Sequence, residues 1–249
     1  MDASCRRALE LGLPAIAFTD HADFTDYVRA QNGIFDVHAY LDCVERCRAR
    51  YHDLRILSGV ELGEPHRFRA EADAILLTGK LDRVLGSVHC APLQGRLQDA
   101  GQPGFHLTAT AAPGFMSLYF EETLGLLASS LPFAVLAHLD YPKRYWPHAE
   151  LPYRESAYEE QYRTVLRAAA RRGTILEVNT TRGAEPHRGL CPGPTVLRWW
   201  HEEGGEGVCF GSDAHDPLKV AQGFAYATPL VEAAGFRAAP EPTACWRRG

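Results

Sequence analysis

The sequence of 249 residues contains no long apolar run, no block of basic residues and no pair of cysteines in CxxC spacing. No stretch reaches the roughly 18 apolar residues of a membrane span, and the first residues lack the apolar core of a signal peptide. We therefore expect neither a transmembrane segment nor a secretory leader. Acidic residues outnumber basic ones, 31 to 26, which argues against broad contact with a nucleic acid backbone.

The cysteine usage favours a reduced, cytoplasmic protein. There are 7 cysteines, an odd number, and their spacing is scattered. Disulfide frameworks belong mainly to small secreted domains, so free thiols are expected here.

Apolar runs typical of buried strands alternate with stretches of helical periodicity. This alternation over about six units predicts one α/β domain with a parallel sheet. The Gly- and Pro-rich stretch 91–114 is expected to form an irregular loop near the site. The chain after Gly223 is expected to add one strand or helix and then to fray. The predicted strands cover 15–18, 55–60, 84–88, 133–137, 174–178 and 207–210, and the predicted helices 3–11, 36–51, 66–78, 115–130, 154–172 and 196–201.

Histidines and acids follow five of these strands. A single histidine at such a position is usually a hydrogen-bonded core residue. Side chains at the carboxyl ends of parallel strands meet at one end of a barrel, however, and the joint pattern indicates a shared site. Several buried carboxylates without a cation would be costly. Imidazole with carboxylate suits Zn, Mn or Fe. The predicted metal ligands are His21, Glu61, His89, His138, Asp213 and His215.

The motifs, taken in order, resemble those of the PHP (polymerase and histidinol phosphatase) family. The resemblance runs from about Ala8 to Phe224 and is closest to the monofunctional histidinol-phosphate phosphatases. That branch is indicated by Glu177-Val178-Asn179-Thr180-Thr181, by Cys191-Pro192, and by Ser212-Asp213-Ala214-His215-Asp216-Pro217. The motifs are Thr19-Asp20-His21, Gly59-Val60-Glu61, Gly86-Ser87-Val88-His89, Ala137-His138-Leu139-Asp140, Glu177-Val178-Asn179-Thr180 and Gly211-Ser212-Asp213-Ala214-His215.

The resemblance implies a distorted (β/α)7 TIM-like barrel holding up to three divalent metal ions. Glu61 would bridge two of them. His89 and His138 would complete one of those two sites, and Asp213 would belong to the other. His21 and His215 would hold the third ion.

The chain departs from the family in one respect: it contains no His-x-His motif. We therefore expect a single domain over residues 1–249 that lacks the first strand and its ligands, so that only the site of Glu61, His89 and His138 keeps its full set. A start codon placed too far downstream and a genuinely shortened protein are both compatible with this.

The function implied by the resemblance is hydrolysis of L-histidinol phosphate to L-histidinol and phosphate, in histidine biosynthesis, by metal-activated water. Asp20, His21, Asp213 and His215 are the expected catalytic residues, Asp20 by orienting a ligand or shuttling a proton. Asp140 is a candidate to orient His138. Lys143, Arg144 and Arg182 are candidates to bind the phosphate, and Glu177 and Asn179 to contact histidinol. Two further histidines, His106 and His187, could line the pocket.

Two other interpretations stay open at this point. One is a PHP phosphoesterase or exonuclease acting on nucleotides or nucleic acid ends. The other is an inactive or merely metal-binding fragment with an incomplete centre.

Overall fold

Ten strands and seven α-helices form the fold in a computed structural model, which describes residues 1–25, 33–185 and 187–249. The strands are β1 (Ala15–Ala22), β2 (Arg55–Gly63), β3 (Arg83–Ser87), β4 (Cys90–Leu93), β5 (Arg96–Asp99), β6 (Val135–Leu136), β7 (Ile175–Asn179), β8 (Gly207–Gly211), β9 (Phe236–Arg237) and β10 (Trp246–Arg248). The helices are α1 (Asp2–Glu10), α2 (Val37–Arg50), α3 (Arg69–Leu76), α4 (Ala112–Ala128), α5 (Glu159–Arg172), α6 (Pro194–Glu202) and α7 (Phe224–Ala233).

Six parallel strands form the centre of the main sheet, in the order β1, β2, β3, β6, β7 and β8. In a flat sheet with strands about 4.8 Å apart, the first and sixth strands would lie roughly 24 Å from each other. The ring of His21, at the end of β1, lies instead 5.4 Å from the ring of His215, which follows β8. The sheet is therefore curled, which confirms the predicted barrel-like α/β class.

The helices pack as their periodicity predicts. α5 buries Tyr162, Val165, Leu166 and Ala169 along one face and ends at Gly173, whose φ of 75° is the left-handed conformation common after helix ends. In α2, the side chain of Asp36 accepts hydrogen bonds from the first free backbone N–H groups. In the part of the chain that the structure describes, no helix is both long and apolar enough to cross a bilayer.

The stretch 91–114 is more ordered than expected. It opens with an antiparallel hairpin of β4 and β5, turned at Gln94 and Gly95. Both turn residues have positive φ, 50° and 77°, a conformation that matches the twist of a two-residue hairpin. The prediction of an irregular loop was wrong for this part, because Pro92 and the high Gly and Pro content obscured two short strands.

The last segment also differs from the prediction. After α7, the chain forms a hairpin of β9 and β10, and β10 pairs antiparallel with β8. The sheet is thus not wholly parallel, and the expected fraying is not observed. The reason is that β8 offers a backbone edge that β10 satisfies.

Candidate metal centre

Glu61 lies at the centre of a group of imidazoles. Parallel pairing sets it directly beside His21, so both side chains project from the same face of the sheet. Its Oε1 atom lies 3.1 Å from Nε2 of His89 and 2.7 Å from Nε2 of His138. Glu61 is only 6% exposed. His21, Glu61 and His89 each offer one ligand atom, all within 4.8 Å of one another.

A second group adjoins the first and shares His21. Ligand atoms of His21, Asp213 and His215 also lie within 4.8 Å of one another, and Oδ1 of Asp213 is 3.1 Å from Nε2 of His215. Asp213 has a φ of 48°, a left-handed conformation that is uncommon outside glycine and tends to occur at functional sites. Arg144 and Asn179 hold its other carboxylate oxygen, at 3.0 and 3.2 Å. The structure thus brings all six predicted ligands together.

Asp23 is a site residue that the sequence analysis missed. Its two carboxylate oxygens lie 3.3 Å from Nδ1 of His21 and 3.2 Å from Nδ1 of His89. A Cβ atom on Gly63 would overlap this carboxylate. The missing side chain of Gly63, the last residue of β2, therefore leaves room for Asp23. The signal in the sequence was the spacing His21-x-Asp23, which sets both side chains on one face of extended chain.

Charges in the centre compensate each other. Burial disfavours the charged form of Glu61, yet His21 and His138 hold its pKa well below the usual range. The charge of Glu61 in turn raises the pKa of His21 to about 9. Burial opposes protonation of His89, but contacts to Asp23 and Glu61 raise its pKa. Burial acts against ionisation of Asp213, whereas His215 and Arg144 keep its pKa below the usual range.

These residues fit a divalent cation. Imidazole nitrogens and carboxylate oxygens converge on common points, a donor set suited to Zn, Mn or Fe. Without a cation, protonated His21 and His89 supply the positive charge that balances Glu61 and Asp23. Nδ1 of His138 is buried and has no hydrogen-bond partner among the described residues. Asp23, by contacting two ring nitrogens, orients the imidazoles in the way that supporting carboxylates do around metals.

Arg144 is the predicted phosphate-binding residue that lies nearest to the centre. It lines a cavity of about 230 Å³ together with His21, His89, His138 and Asp213. One nitrogen contacts Asp213, while Nε and the second terminal nitrogen are buried without a hydrogen-bond partner in the described chain. Such a guanidinium is available to bind an anion.

Arg182 lines a neighbouring cavity of about 460 Å³, which also contacts Arg144. Nε of Arg182 lies 3.7 Å from Glu185. The same cavity is lined by His106, one of the two loop histidines considered from the sequence. Arg182 is therefore farther from the candidate ligands than Arg144.

Lys143 faces away from both cavities. It is 3% exposed, and its Nζ donates to Asp140 at 2.7 Å and to the carbonyl of Leu190 at 2.6 Å. Tyr162 donates to the same oxygen of Asp140. Asp140 thus contacts Lys143 and Tyr162 rather than the ring of His138.

Glu177 and Asn179 contact two residues of the centre, His138 and Asp213. Glu177 accepts a hydrogen bond from the backbone N–H of His138 at 2.8 Å, and a Cβ on Gly211 would overlap its carboxylate. Burial raises the pKa of Glu177. Asn179 donates to Asp213. Both residues support the backbone and side chains that carry the candidate ligands.

Asp20 is exposed. Because side chains alternate along a strand, it projects from the face of β1 opposite to His21.

Other cavity residues were not found from the sequence. The 3₁₀ turn Tyr141–Tyr145 contributes Tyr141, whose ring lies 5.0 Å from that of His89, and the β4–β5 hairpin contributes Asp99, which accepts from Tyr141 at 3.0 Å. Glu64 accepts from the backbone of His89 and Cys90, and burial raises its pKa to about 7. These positions depend on loop geometry, for which the sequence carried no periodic signal.

Comparison with known proteins agrees with the motif pattern. Residues 1–181 match the family described as PHP domain. The histidinol-phosphatase of Lactococcus lactis is 25% identical over 230 residues, covering 92% of this chain and 83% of the relative. A probable histidinol-phosphatase of Clostridium acetobutylicum is 28% identical over 221 residues, covering 87% and 81%.

A solved structure shares the fold. It is the histidinol phosphate phosphatase of Lactococcus lactis in complex with zinc, L-histidinol and phosphate. The superposition gives a TM-score of 0.77 at 22% identity and covers 94% of this chain and 86% of that one.

Proposed function

Because this chain belongs to the PHP family, we propose that it is a metal-dependent phosphomonoesterase that hydrolyses L-histidinol phosphate to L-histidinol and phosphate. The observation that carries the proposal is the convergence of His89 and His138 on one oxygen of Glu61, beside the free nitrogens of Arg144. The histidinol-phosphatase relatives and the solved complex with L-histidinol and phosphate support this substrate.

Zinc is the cation we propose, supported by the zinc in the solved relative, with Mn and Fe as alternatives of similar ligand preference. His89, His138 and Glu61 would hold one ion, and His21, Asp213 and His215 would hold another. The family resemblance implies a third. When bound, such cations polarise the phosphoryl oxygens and lower the pKa of a coordinated water to near neutrality.

The protein's own groups would bind and orient the ester. Arg144 would donate its two unpartnered nitrogens to the phosphoryl oxygens, while its third contact, to Asp213, keeps the guanidinium in position. The larger cavity, lined by Tyr145, His106 and Arg182, would receive the histidinol part. Asp99 lines the smaller cavity next to Gly101 and Tyr145, which both cavities share, and it is the acid we assign to the substrate amine.

The remaining predicted residues would support the ligands and Arg144 without contacting the substrate. Glu177 would fix the backbone of His138, and Asn179 the carboxylate of Asp213. Lys143, held by Asp140, would stabilise the turn that carries Arg144. We assign no proton transfer to Asp20, because it projects from the other face of β1. A cytoplasmic location stays a prediction from the cysteine usage.

The test is a comparison of substrates on the purified chain. Phosphate release is measured with added zinc or manganese from histidinol phosphate, from phenyl phosphate and from a 3'-phosphorylated oligonucleotide. We expect kcat/KM to be highest for histidinol phosphate, and we expect turnover to be lost in His138→Ala but kept in the matched variant of exposed His52. Preference for the oligonucleotide would instead support a nuclease.

A second arm of the same test adds an N-terminal strand bearing His-x-His. Among the described residues, β1 pairs only with β2, so its other edge is available to such a strand. No turnover by either form, in protein that binds zinc, would contradict the proposed function and favour a purely metal-binding role.

A further inference from the structure

Two half-buried cysteines adjoin the antiparallel pair of β8 and β10: Cys209 on β8 and Cys245 directly before β10. Trp246, the first residue of β10, pairs with Val208, and Cys245 and Cys209 are the residues that adjoin this pair on the two segments. The two thiols interact with each other, and the interaction shifts the pKa of each in opposite directions. Cys209 packs against Leu85, Val135 and Ala137 inside the sheet rather than in the cavity of the metal centre.

The position of this pair in the ladder suits a disulfide. The backbone N–H of Arg248 donates to the carbonyl of Glu206 at 2.9 Å, which marks that pair as hydrogen-bonded. Hydrogen-bonded and non-hydrogen-bonded pairs alternate, so the position next to Trp246 and Val208, where Cys245 and Cys209 stand, corresponds to a non-hydrogen-bonded pair, for which Cα atoms are typically about 4.5 Å apart. Disulfides span Cα separations of about 4.4–6.8 Å.

A half-buried cation, Arg83, contacts Cys245. The guanidinium of Arg83 donates to Sγ of Cys245 at 3.2 Å and is anchored on the carbonyl of Thr243 at 2.8 Å. The interaction with Cys209, together with Arg83, lowers the pKa of Cys245 to about 6, whereas the pKa of Cys209 is raised. The two thiols are thus unequal: one is stabilised as the thiolate and the other holds its proton.

We propose that Cys245 and Cys209 form a peroxide-sensitive thiol pair in which Cys245 reacts first and Cys209 closes a reversible disulfide. The Cys245 thiolate attacks one oxygen of hydrogen peroxide, the O–O bond breaks, and the departing hydroxide takes up a proton to become water. Cys209 then attacks the sulfenic sulfur and displaces hydroxide, which leaves as water with the Cys209 proton. Two thiols are oxidised, one peroxide is reduced, and two waters form.

The chain contains its own control for this chemistry. Cys5 and Cys47 also interact with each other, but both are buried, and burial raises the pKa of each. Simple proximity of two thiols predicts that both pairs oxidise alike. Our proposal predicts that only Cys209 and Cys245 do so, because thiolate character and access control the reaction.

The test treats the full-length, zinc-loaded chain with equimolar hydrogen peroxide and maps the products by mass spectrometry. We expect a linked peptide containing Cys209 and Cys245, reversed by dithiothreitol, while Cys5 and Cys47 remain open to alkylation after unfolding. In Cys209→Ser, we expect Cys245 to stop at the sulfenic acid and to be trapped by dimedone. No linked peptide, or linkage of Cys5 to Cys47 at the same rate, would overturn the proposal.

Arg83 provides an independent measurement. At pH 7, a thiol of pKa about 6 is mostly thiolate, roughly thirtyfold more than one near 8.5. We expect alkylation of Cys245 by iodoacetamide to slow by about tenfold in Arg83→Gln, but to change little in Arg83→Lys or in the variant of exposed Arg46. Equal rates in Arg83→Gln and the unaltered protein would refute the role of Arg83. None of these measurements uses phosphatase activity, so they are independent of the proposed function.

Discussion

Replacing Asp23 by asparagine is expected to weaken zinc binding, although Asp23 is not itself among the proposed ligands. The carboxylate contacts Nδ1 of both His21 and His89, at 3.3 and 3.2 Å. These distances are longer than the 2.7–2.9 Å of strong charge-assisted bonds, so each contact is assigned about 1.5 kcal/mol. Asparagine can keep one neutral hydrogen bond of about 1 kcal/mol. The net loss of about 2 kcal/mol corresponds to roughly thirtyfold weaker zinc binding, within the usual range for supporting carboxylates.

The loss of zinc affinity in Asp23→Asn should increase with pH. Contact with Asp23 and Glu61 raises the pKa of His89 against the effect of burial, so removing Asp23 makes the neutral imidazole easier to obtain. This gain partly offsets the lost orientation at low pH and becomes smaller as pH rises, because a larger share of the rings is already neutral. The loss of affinity in Asp23→Asn should therefore be larger at pH 9 than at pH 6.5.

The assay is competition for zinc against a chromophoric chelator, at constant salt, with thermal melts to verify folding. Asp53→Asn is the matched control, because Asp53 is an exposed acid on the turn before β2. If Asp23→Asn bound zinc as tightly as Asp53→Asn, the argument that Asp23 orients the two imidazoles would be refuted.

Four further outcomes are expected. His138→Ala should lower kcat/KM for phosphate release by about a hundredfold or more while circular dichroism stays unchanged, because it removes a proposed ligand; near-normal turnover would contradict the site. The metal-free protein should lose stability as pH rises from about 6.5 to 9, because Glu61 stabilises protonated His21 only until His21 titrates near its raised pKa of about 9. Zinc affinity should rise over the same range, because the ligands lose their protons. Thermal melts and zinc titrations should therefore show opposite slopes with pH. Arg144→Lys should reduce kcat/KM about tenfold, since an ammonium cannot bind two phosphoryl oxygens side by side. Gly211→Ala should cost about 1–3 kcal/mol in urea unfolding, because its methyl group would overlap the Glu177 carboxylate; an unchanged midpoint would show that Glu177 moves freely.

The sequence was informative where a functional residue directly follows a strand. Each predicted ligand stands at or just after the carboxyl end of a buried apolar run, and the topology of a parallel sheet brings such ends together. That is why His89 and His138, 49 positions apart in number, could be expected to meet at Glu61. The strand order itself follows from the alternation of elements.

Turns after the strands were less predictable. Lys143 and Arg144 are adjacent and chemically similar, yet the 3₁₀ turn directs one to the buried Asp140 and the other to Asp213. Whether Lys143 or Arg144 faces the cavity depends on the backbone conformation of that turn, which the residue types alone do not predict. The same limit explains why Asp99 was missed, because the hairpin of β4 and β5, which Pro92 obscured in the sequence, brings it to the cavity.

The ordered hairpin at the end of the chain was also not expected. Its pairing with β8 depends on a contact between segments far apart in sequence, and short strands such as Phe236–Arg237 carry too few residues to show a period. Long-range pairing, rather than local preference, determined the structure there.

Two glycines that line neither cavity support residues of the candidate metal centre. Gly63 and Gly211 leave the volumes that the carboxylates of Asp23 and Glu177 fill. A mutagenesis library limited to cavity-lining positions would treat both as neutral background, although any side chain there would displace an acid that supports the imidazoles. Efforts to alter the specificity of this protein should therefore hold these two positions fixed and vary the loops above them.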